Sequence, residues 1–265
     1  HTRFVVCWGW NVSNAGGNKF CFITWNQQLN EARERGGKVV VIDPTLRGAG
    51  PFADEWLPVR PGTDLALAMA FCNVLIKEGF VDKGYLTQFT NSPFLVRDDG
   101  TFLKADGKEQ VWDEATKSAQ PFDAKGVQPA LEGEHQAGGK AVKTAFQLFK
   151  DHVAKYTPEW AADICGLRAE AIKRIGREIG QNAMIGSTVQ LEGVSLPYRP
   201  VGLMAYHMAQ QELGFQAFRA MYMVMMLVGA VEAVGGLRVD SSWKLHPNFE
   251  AFGNVKIKDP PYDYA

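Results

Sequence analysis

With 265 residues, the chain is long enough for one large domain or two smaller ones and for a sizeable core. A hydrophobic fraction of 46% and a formal net charge of −1 give no electrostatic ground for nucleic acid or an anionic membrane surface as partner. The four cysteines, Cys7, Cys21, Cys72 and Cys165, fall at no CxxC spacing, so local sequence builds neither a zinc knuckle nor an iron–sulfur cluster. Cys7 and Cys72 sit in apolar runs and read as buried free thiols.

In chain order, Phe4-Val5-Val6-Cys7-Trp8 is a strand-like run ending at Gly9. Phe20 to Arg35 reads as a helix, with Phe22, Trp25, Leu29 and Ala32 spaced three or four apart, ending at Gly36-Gly37. Val39-Val40-Val41-Ile42 is apolar throughout, as a parallel strand covered on both faces requires, and stops at Asp43-Pro44. A weaker run, Trp56 to Val59, leads through Arg60-Pro61-Gly62 into a strong helix over Leu65 to Lys77. Thr63 or Asp64 is its expected N-cap, and Gly79 lies just beyond its end. Phe94 to Leu103 reads as a hairpin that opens a long irregular excursion to Gly139. Helices resume over Val142 to Lys155, after Thr157-Pro158, and over Arg168 to Ile179. Met184 to Leu191 is strand-like, and Gly202 to Val234 reads as mainly helical with a Met-rich interior. The apolar run from Ala220 to Val231, about a dozen residues against the roughly 20 of a bilayer span, predicts a buried helix and no direct membrane span.

These elements predict an α/β fold: a Rossmann-like parallel sheet with flanking helices, plus part of a second α/β domain. Residues 1–93 and 140–180 form the first domain, 94–139 an irregular insertion with a hairpin, and 181–265 a truncated part of an adjoining α/β domain. The strand–helix–strand connection implies a right-handed parallel crossover. Loops leaving parallel strands gather on one edge, where ligands bind. Gly9-Trp10-Asn11, Asp43-Pro44-Thr45 and Gly62-Thr63-Asp64 would meet there.

Asp43, an acid at the end of the second strand, stands where nucleotide-binding folds accept donors from a ribose or base, and guanine's N1–H and N2–H suit a carboxylate. The alternative is an ordinary Asp-Pro turn. Gly62-Thr63-Asp64 would expose helix N-terminal N–H groups to a phosphate or sugar hydroxyl, or simply cap the helix. Gly9 permits close backbone approach, and Asn11 offers a donor and an acceptor. The first loop lacks GxGxxG, which argues against NAD or FAD. His207 is the one catalytic candidate, set against a structural hydrogen-bonding role. The methionines Met221, Met223, Met225 and Met226 read as core.

The runs Gly37-Lys38-Val39-Val40-Val41-Ile42-Asp43-Pro44-Thr45 and Ala53-Asp54-Glu55-Trp56-Leu57-Pro58-Val59-Arg60-Pro61-Gly62-Thr63-Asp64 resemble the dimethyl sulfoxide reductase family of bis-molybdopterin guanine dinucleotide enzymes. The similarity continues through Thr157 to Gly166 and through Leu227 to Gly236. Thr45 stands where the family pattern has arginine, with Arg47 two residues later. The resemblance implies that Gly9, Asn11, Asp43, Pro44, Thr45, Arg47, Gly62, Thr63 and Asp64 hold one of two pterin–guanine dinucleotides. It also implies a molybdenum or tungsten centre that transfers an oxygen atom or two electrons. The substrate would be small and inorganic: a sulfur compound such as tetrathionate, thiosulfate, polysulfide or sulfite, or else an arsenic oxyanion.

By the same resemblance, this chain is a middle slice of a catalytic subunit. The metal ligand and a 4Fe–4S cluster are expected from a segment before His1, so no metal ligand is expected here, and a further dinucleotide-binding domain is expected after Ala265. The implied partners are an iron–sulfur electron-transfer subunit, with a membrane anchor subunit beside it. The setting implied is a prokaryotic membrane-associated complex, on its periplasmic side or else its cytoplasmic side. The rival readings are a pterin-free relative within a respiratory complex and a nicotinamide-dependent dehydrogenase.

Overall fold

In the computed structural model, residues 1–10, 20–46, 50–205 and 207–237 are described, with backbone only for 20–25 and 207. The chain runs β1 (Phe4–Trp8), α1 (Phe20–Glu34), β2 (Lys38–Ile42), β3 (Glu55–Leu57), α2 (Asp64–Lys77) and α3 (Lys83–Phe89). The next elements are β4 (Leu95–Arg97), β5 (Lys104–Ala105), β6 (Lys108–Asp113), β7 (Ser118–Pro121), β8 (Glu134–Ala137) and β9 (Lys140–Thr144). Then come α4 (Ala145–Val153), α5 (Pro158–Cys165), α6 (Ala169–Asn182), β10 (Thr188–Leu191), β11 (Val194–Pro197), β12 (Val201–Ala205) and α7 (Gly214–Leu227).

The site-bearing sheet has the order β12-β1-β2-β3 and is parallel throughout. Its two faces separate by the period of two expected of strands. Phe4, Val6, Trp8, Val40, Ile42 and Leu57 face one core, whereas Val5, Cys7, Val39 and Val41 face a smaller one against Leu29 of α1. Both faces are therefore covered, which is why these strands carry uninterrupted apolar side chains. Helix α2 lies at the centre of the larger core, packed on α7, α6 and α5. Close packing explains Gly176, where a Cβ would come within 3.0 Å of Val74.

Two expectations change. The sequence pattern puts residues 181–265 in an adjoining domain, with 202–234 mainly helical. Instead β12 pairs in parallel with β1 from Phe4↔Val201 to Trp8↔Ala205, and α7 packs on α2. Strand β12 and helix α7 of this segment thus share the sheet and core of the N-terminal third, while β10 and β11 pair with each other as a separate antiparallel hairpin. Leu203, Met204 and Ala205 are good helix formers, and only a partner strand about two hundred positions away makes them a strand. The excursion at 94–139 is also not irregular. It carries the antiparallel sheets β4-β9-β8 and β5-β6-β7, and its pairing reaches Thr144, which turns part of the expected helix at 142–155 into β9. Stretches such as Glu134-His135-Gln136-Ala137 are polar and lack β-branched residues, so their strand character comes from pairing alone.

Candidate functional site

The parallel ladder fixes where the loops leave the sheet. Gly9 N donates to Ile42 O at 2.8 Å and Asp43 N to Leu57 O at 3.2 Å, so the ends of β1, β2 and β3 stand side by side. Gly9 has φ +56°, and a Cβ there would lie 3.2 Å from Met208 N; the left-handed turn and the close approach both require glycine.

At the end of β2, Asp43 Oδ1 accepts from Thr45 N at 2.8 Å and from Thr45 Oγ1 at 3.1 Å, an Asx turn. Pro44 and Thr45 are exposed, whereas Asp43 is half-buried. A carboxylate has about four acceptor sites, so the turn leaves Asp43 capacity for further donors. Trp56 of β3 donates its indole N–H to Asp43 O at 2.8 Å and braces the turn from the edge strand. Sequence reasoning missed this role. Its signal was an exposed tryptophan in the short strand β3. Asn11 and Arg47 lie outside the described residues.

The third loop is built by the Arg60-Pro61-Gly62-Thr63-Asp64 run. Arg60 Nη1 donates to Ile164 O at 2.8 Å, fastening the loop to the end of α5, and Gly62 turns the chain at φ +82°. Thr63 occupies the N-cap position of α2 but does not cap with its side chain. Its hydroxyl donates to Arg60 O at 2.7 Å instead, a local bond that competes with capping. Ala66 N and Leu67 N donate to Thr63 O at 3.0 and 3.3 Å, so the N–H groups of Asp64 and Leu65 are the ones that carry the positive end of the helix dipole to this edge. Beside Gly62 and Thr63 opens a cleft of about 560 Å³, walled by Met69, Tyr156, Trp160 and Met223.

Asp64 points inward. It is 7% exposed, and its carboxylate accepts from Trp8 Nε1 and from Gln211 Nε2, each at 2.6 Å. Gln211 escaped the sequence reading because its loop follows β12, which looked helical. His207 starts a short 3-10 turn, His207–Ala209, beside Gly9; its side chain lies outside the described residues. Cys7 and Cys72 are free and buried, with burial pushing the Cys7 thiol up to about 12 and the Cys72 thiol higher, so neither is a reactive thiolate. Among the described residues, no group of three or more His, Cys, Asp or Glu side chains could hold a metal ion.

This geometry brings Gly9, Asp43, Pro44, Thr45, Gly62 and Thr63 to one edge, with Asp64 beneath it. The arrangement is suited to a nucleotide-like ligand, with a carboxylate for base or ribose donors and helix N–H groups for phosphate.

The chain is 32% identical over 238 residues to a sulfite dehydrogenase subunit of Allochromatium vinosum, covering 79% of this chain and 24% of that protein. It is 31% identical over 253 residues to the alpha subunit of chlorate reductase from Ideonella dechloratans, covering 87% of this chain and 26% of that one. The chain therefore spans about a quarter of the length of the curated relatives it matches. Acetylene hydratase from Pelobacter acetylenicus has a similar fold, with a TM-score of 0.55 at 20% identity over 89% of this chain and 22% of that chain. A family model for molybdopterin oxidoreductases matches residues 1–248, and the chain belongs to that family.

Proposed function

We propose that this chain is a guanine-dinucleotide-holding α/β domain in the catalytic subunit of a molybdenum or tungsten oxidoreductase. The reading of its activity is oxygen-atom or two-electron transfer on an inorganic sulfur compound. The observation that carries the cofactor assignment is the meeting of Gly9, the Asp43–Thr45 turn and the α2 N-terminus on one strand edge.

The residues fit such a group. Asp43 would accept from guanine N1–H and N2–H, held for this by Thr45 and Trp56. Gly62 and the first turn of α2 would face phosphate oxygens, and Gly9 would let backbone approach the ligand closely. Asn11 and Arg47 join the assignment by family resemblance. When bound, the group supplies a metal centre that changes oxidation state; the protein's share is binding, orientation and electrostatics.

A sulfur substrate is supported by the relative named sulfite dehydrogenase. The relative named chlorate reductase favours a second reading, reduction of an oxyanion such as an arsenic one. Both names designate one subunit of several, which supports a multi-subunit setting. There a 4Fe–4S cluster outside these residues, an iron–sulfur partner and a membrane anchor would carry electrons. A membrane-associated complex follows from that reading. Among the described residues, no helix is long and apolar enough to cross a membrane.

Metal and pterin analysis of the purified full-length subunit tests the proposal. Stoichiometric molybdenum or tungsten with oxidised-pterin fluorescence, and turnover of sulfite or tetrathionate, is expected. Metal and pterin at background would leave the pterin-free respiratory subunit as the reading.

A further inference from the structure

Asp64 presents a problem that the dinucleotide reading alone does not resolve. A carboxylate in the first turn of α2 lies where that reading puts phosphate, and like charges repel. The structure disposes of it by burial: Asp64 is 7% exposed, with one oxygen accepting from Trp8 Nε1 at 2.6 Å and the other from Gln211 Nε2 at 2.6 Å. Trp8 is fully buried at the end of β1, its ring 5.8 Å from that of Phe71 in α2, so its indole N–H is fixed in direction. The Gln211 amide nitrogen also donates to Met208 O at 2.8 Å. Its two N–H bonds therefore join the turn after β12 to itself and to α2. That turn lies against both glycines of the edge: a Cβ on Gly9 would meet Met208 N at 3.2 Å, and one on Gly62 would meet Gln211 Oε1 at 3.5 Å.

We propose that Trp8, Asp64 and Gln211 form a buried latch, in which Gln211 is a positioning residue that holds the 207–211 turn onto the exits of β1 and β3 as a fourth wall of the dinucleotide edge. The latch makes Asp64 an internal acceptor and not a cofactor ligand. It turns the carboxylate away from the phosphates and ties the wall to the helix that binds them. The assignment rests on the dinucleotide reading for its purpose but not for its geometry.

The test uses the full-length subunit with Gln211→Ala, Gln211→Glu and the double variant Asp64→Asn/Gln211→Glu. Two readouts are taken: hydrogen exchange of amides 207–213 in protein from cells that lack the pterin, and guanine nucleotide retained per chain in protein from cells that make it. Loss of a hydrogen bond to a charged acceptor predicts about tenfold or more faster exchange at 207–213 in Gln211→Ala, with the melting midpoint nearly unchanged, and a comparable loss of nucleotide. Gln211→Glu sets two carboxylates together and does the same. In the double variant the new amide at position 64 donates to the new carboxylate at position 211, which restores the bond to α2 but not the one to Met208 O, and part of the protection returns. Unchanged exchange in Gln211→Ala, or a double variant no better than Gln211→Glu, overturns the latch. A wild-type chain without guanine nucleotide overturns the functional reading instead, and the exchange data still decide the latch.

Discussion

Arg199 and Asp82 stand 117 positions apart in the chain and meet inside the core, where Arg199 Nη2 and Nε donate to Asp82 Oδ2 at 2.6 and 3.1 Å. Arg199 Nη1 also donates to Ser187 O at 2.9 Å and Tyr198 O at 2.8 Å, while Asp82 Oδ1 caps α3 by accepting from Tyr85 N at 3.0 Å. The pair thus fastens the entrance of β12 to α3, and β12 carries the turn that closes the candidate site. Removing the guanidinium leaves a buried carboxylate unpaired, so Arg199→Ala is expected to lose about 3–5 kcal/mol in urea unfolding. A loss under about 1 kcal/mol, the size of an exposed pair, contradicts this role.

Gly62 is needed for its backbone and not for space. Its φ is +82°, while an added Cβ would stand 3.5 Å from Gln211 Oε1, an ordinary contact. Gly62→Ala is therefore expected to cost about 1–2 kcal/mol by the left-handed penalty alone, measured by urea unfolding. A neutral substitution would show that the turn tolerates a side chain.

Asp43 separates binding from folding. Asp43→Asn keeps an acceptor for Thr45 but loses the charge offered to guanine. One charged hydrogen bond is worth about 1.5–3 kcal/mol, so dinucleotide affinity is expected to fall roughly 10- to 100-fold with the melting midpoint nearly unchanged. Equilibrium dialysis with guanine nucleotide checks it; equal affinity removes Asp43 from the site.

The insertion has its own pH signature. Asp113 accepts from Gln128 N at 2.8 Å and from Thr116 Oγ1 at 2.7 Å. The Gln128 bond first and the Thr116 bonds next hold its carboxyl down to about 2, against an ordinary value of 3.8. A depressed carboxylate contributes stability that is complete above the ordinary value and lost as pH falls towards about 2. An NMR titration of Asp113 is expected to show a midpoint near 2, and a midpoint near the ordinary value contradicts the bonding.

Legibility followed the range of the interactions. Val39 to Ile42 declared a buried parallel strand because every side chain is apolar and β-branched, and α2 declared itself through an unbroken helical run with Gly79 beyond it. Strand β12 did not, because Leu203, Met204 and Ala205 suit a helix until β1 is set beside them. The shared edge was readable from strand ends, and Gly9, Asp43 and Gly62 meet there. The inward turn of Asp64 was not readable, since it depends on Trp8 across the sheet and on Gln211 from the unrecognised fourth strand. Trp56 was hidden for the same reason: its partner is the Asp43 carbonyl on the neighbouring strand.

The central claim is that this strand edge holds a guanine dinucleotide, and a density map of the full-length subunit tests it most directly. A guanine edge is expected within hydrogen-bond reach, about 3 Å, of the Asp43 carboxylate, with phosphate oxygens at the first turn of α2. A dinucleotide bound elsewhere, or an Asp43 turn facing only solvent, would contradict it.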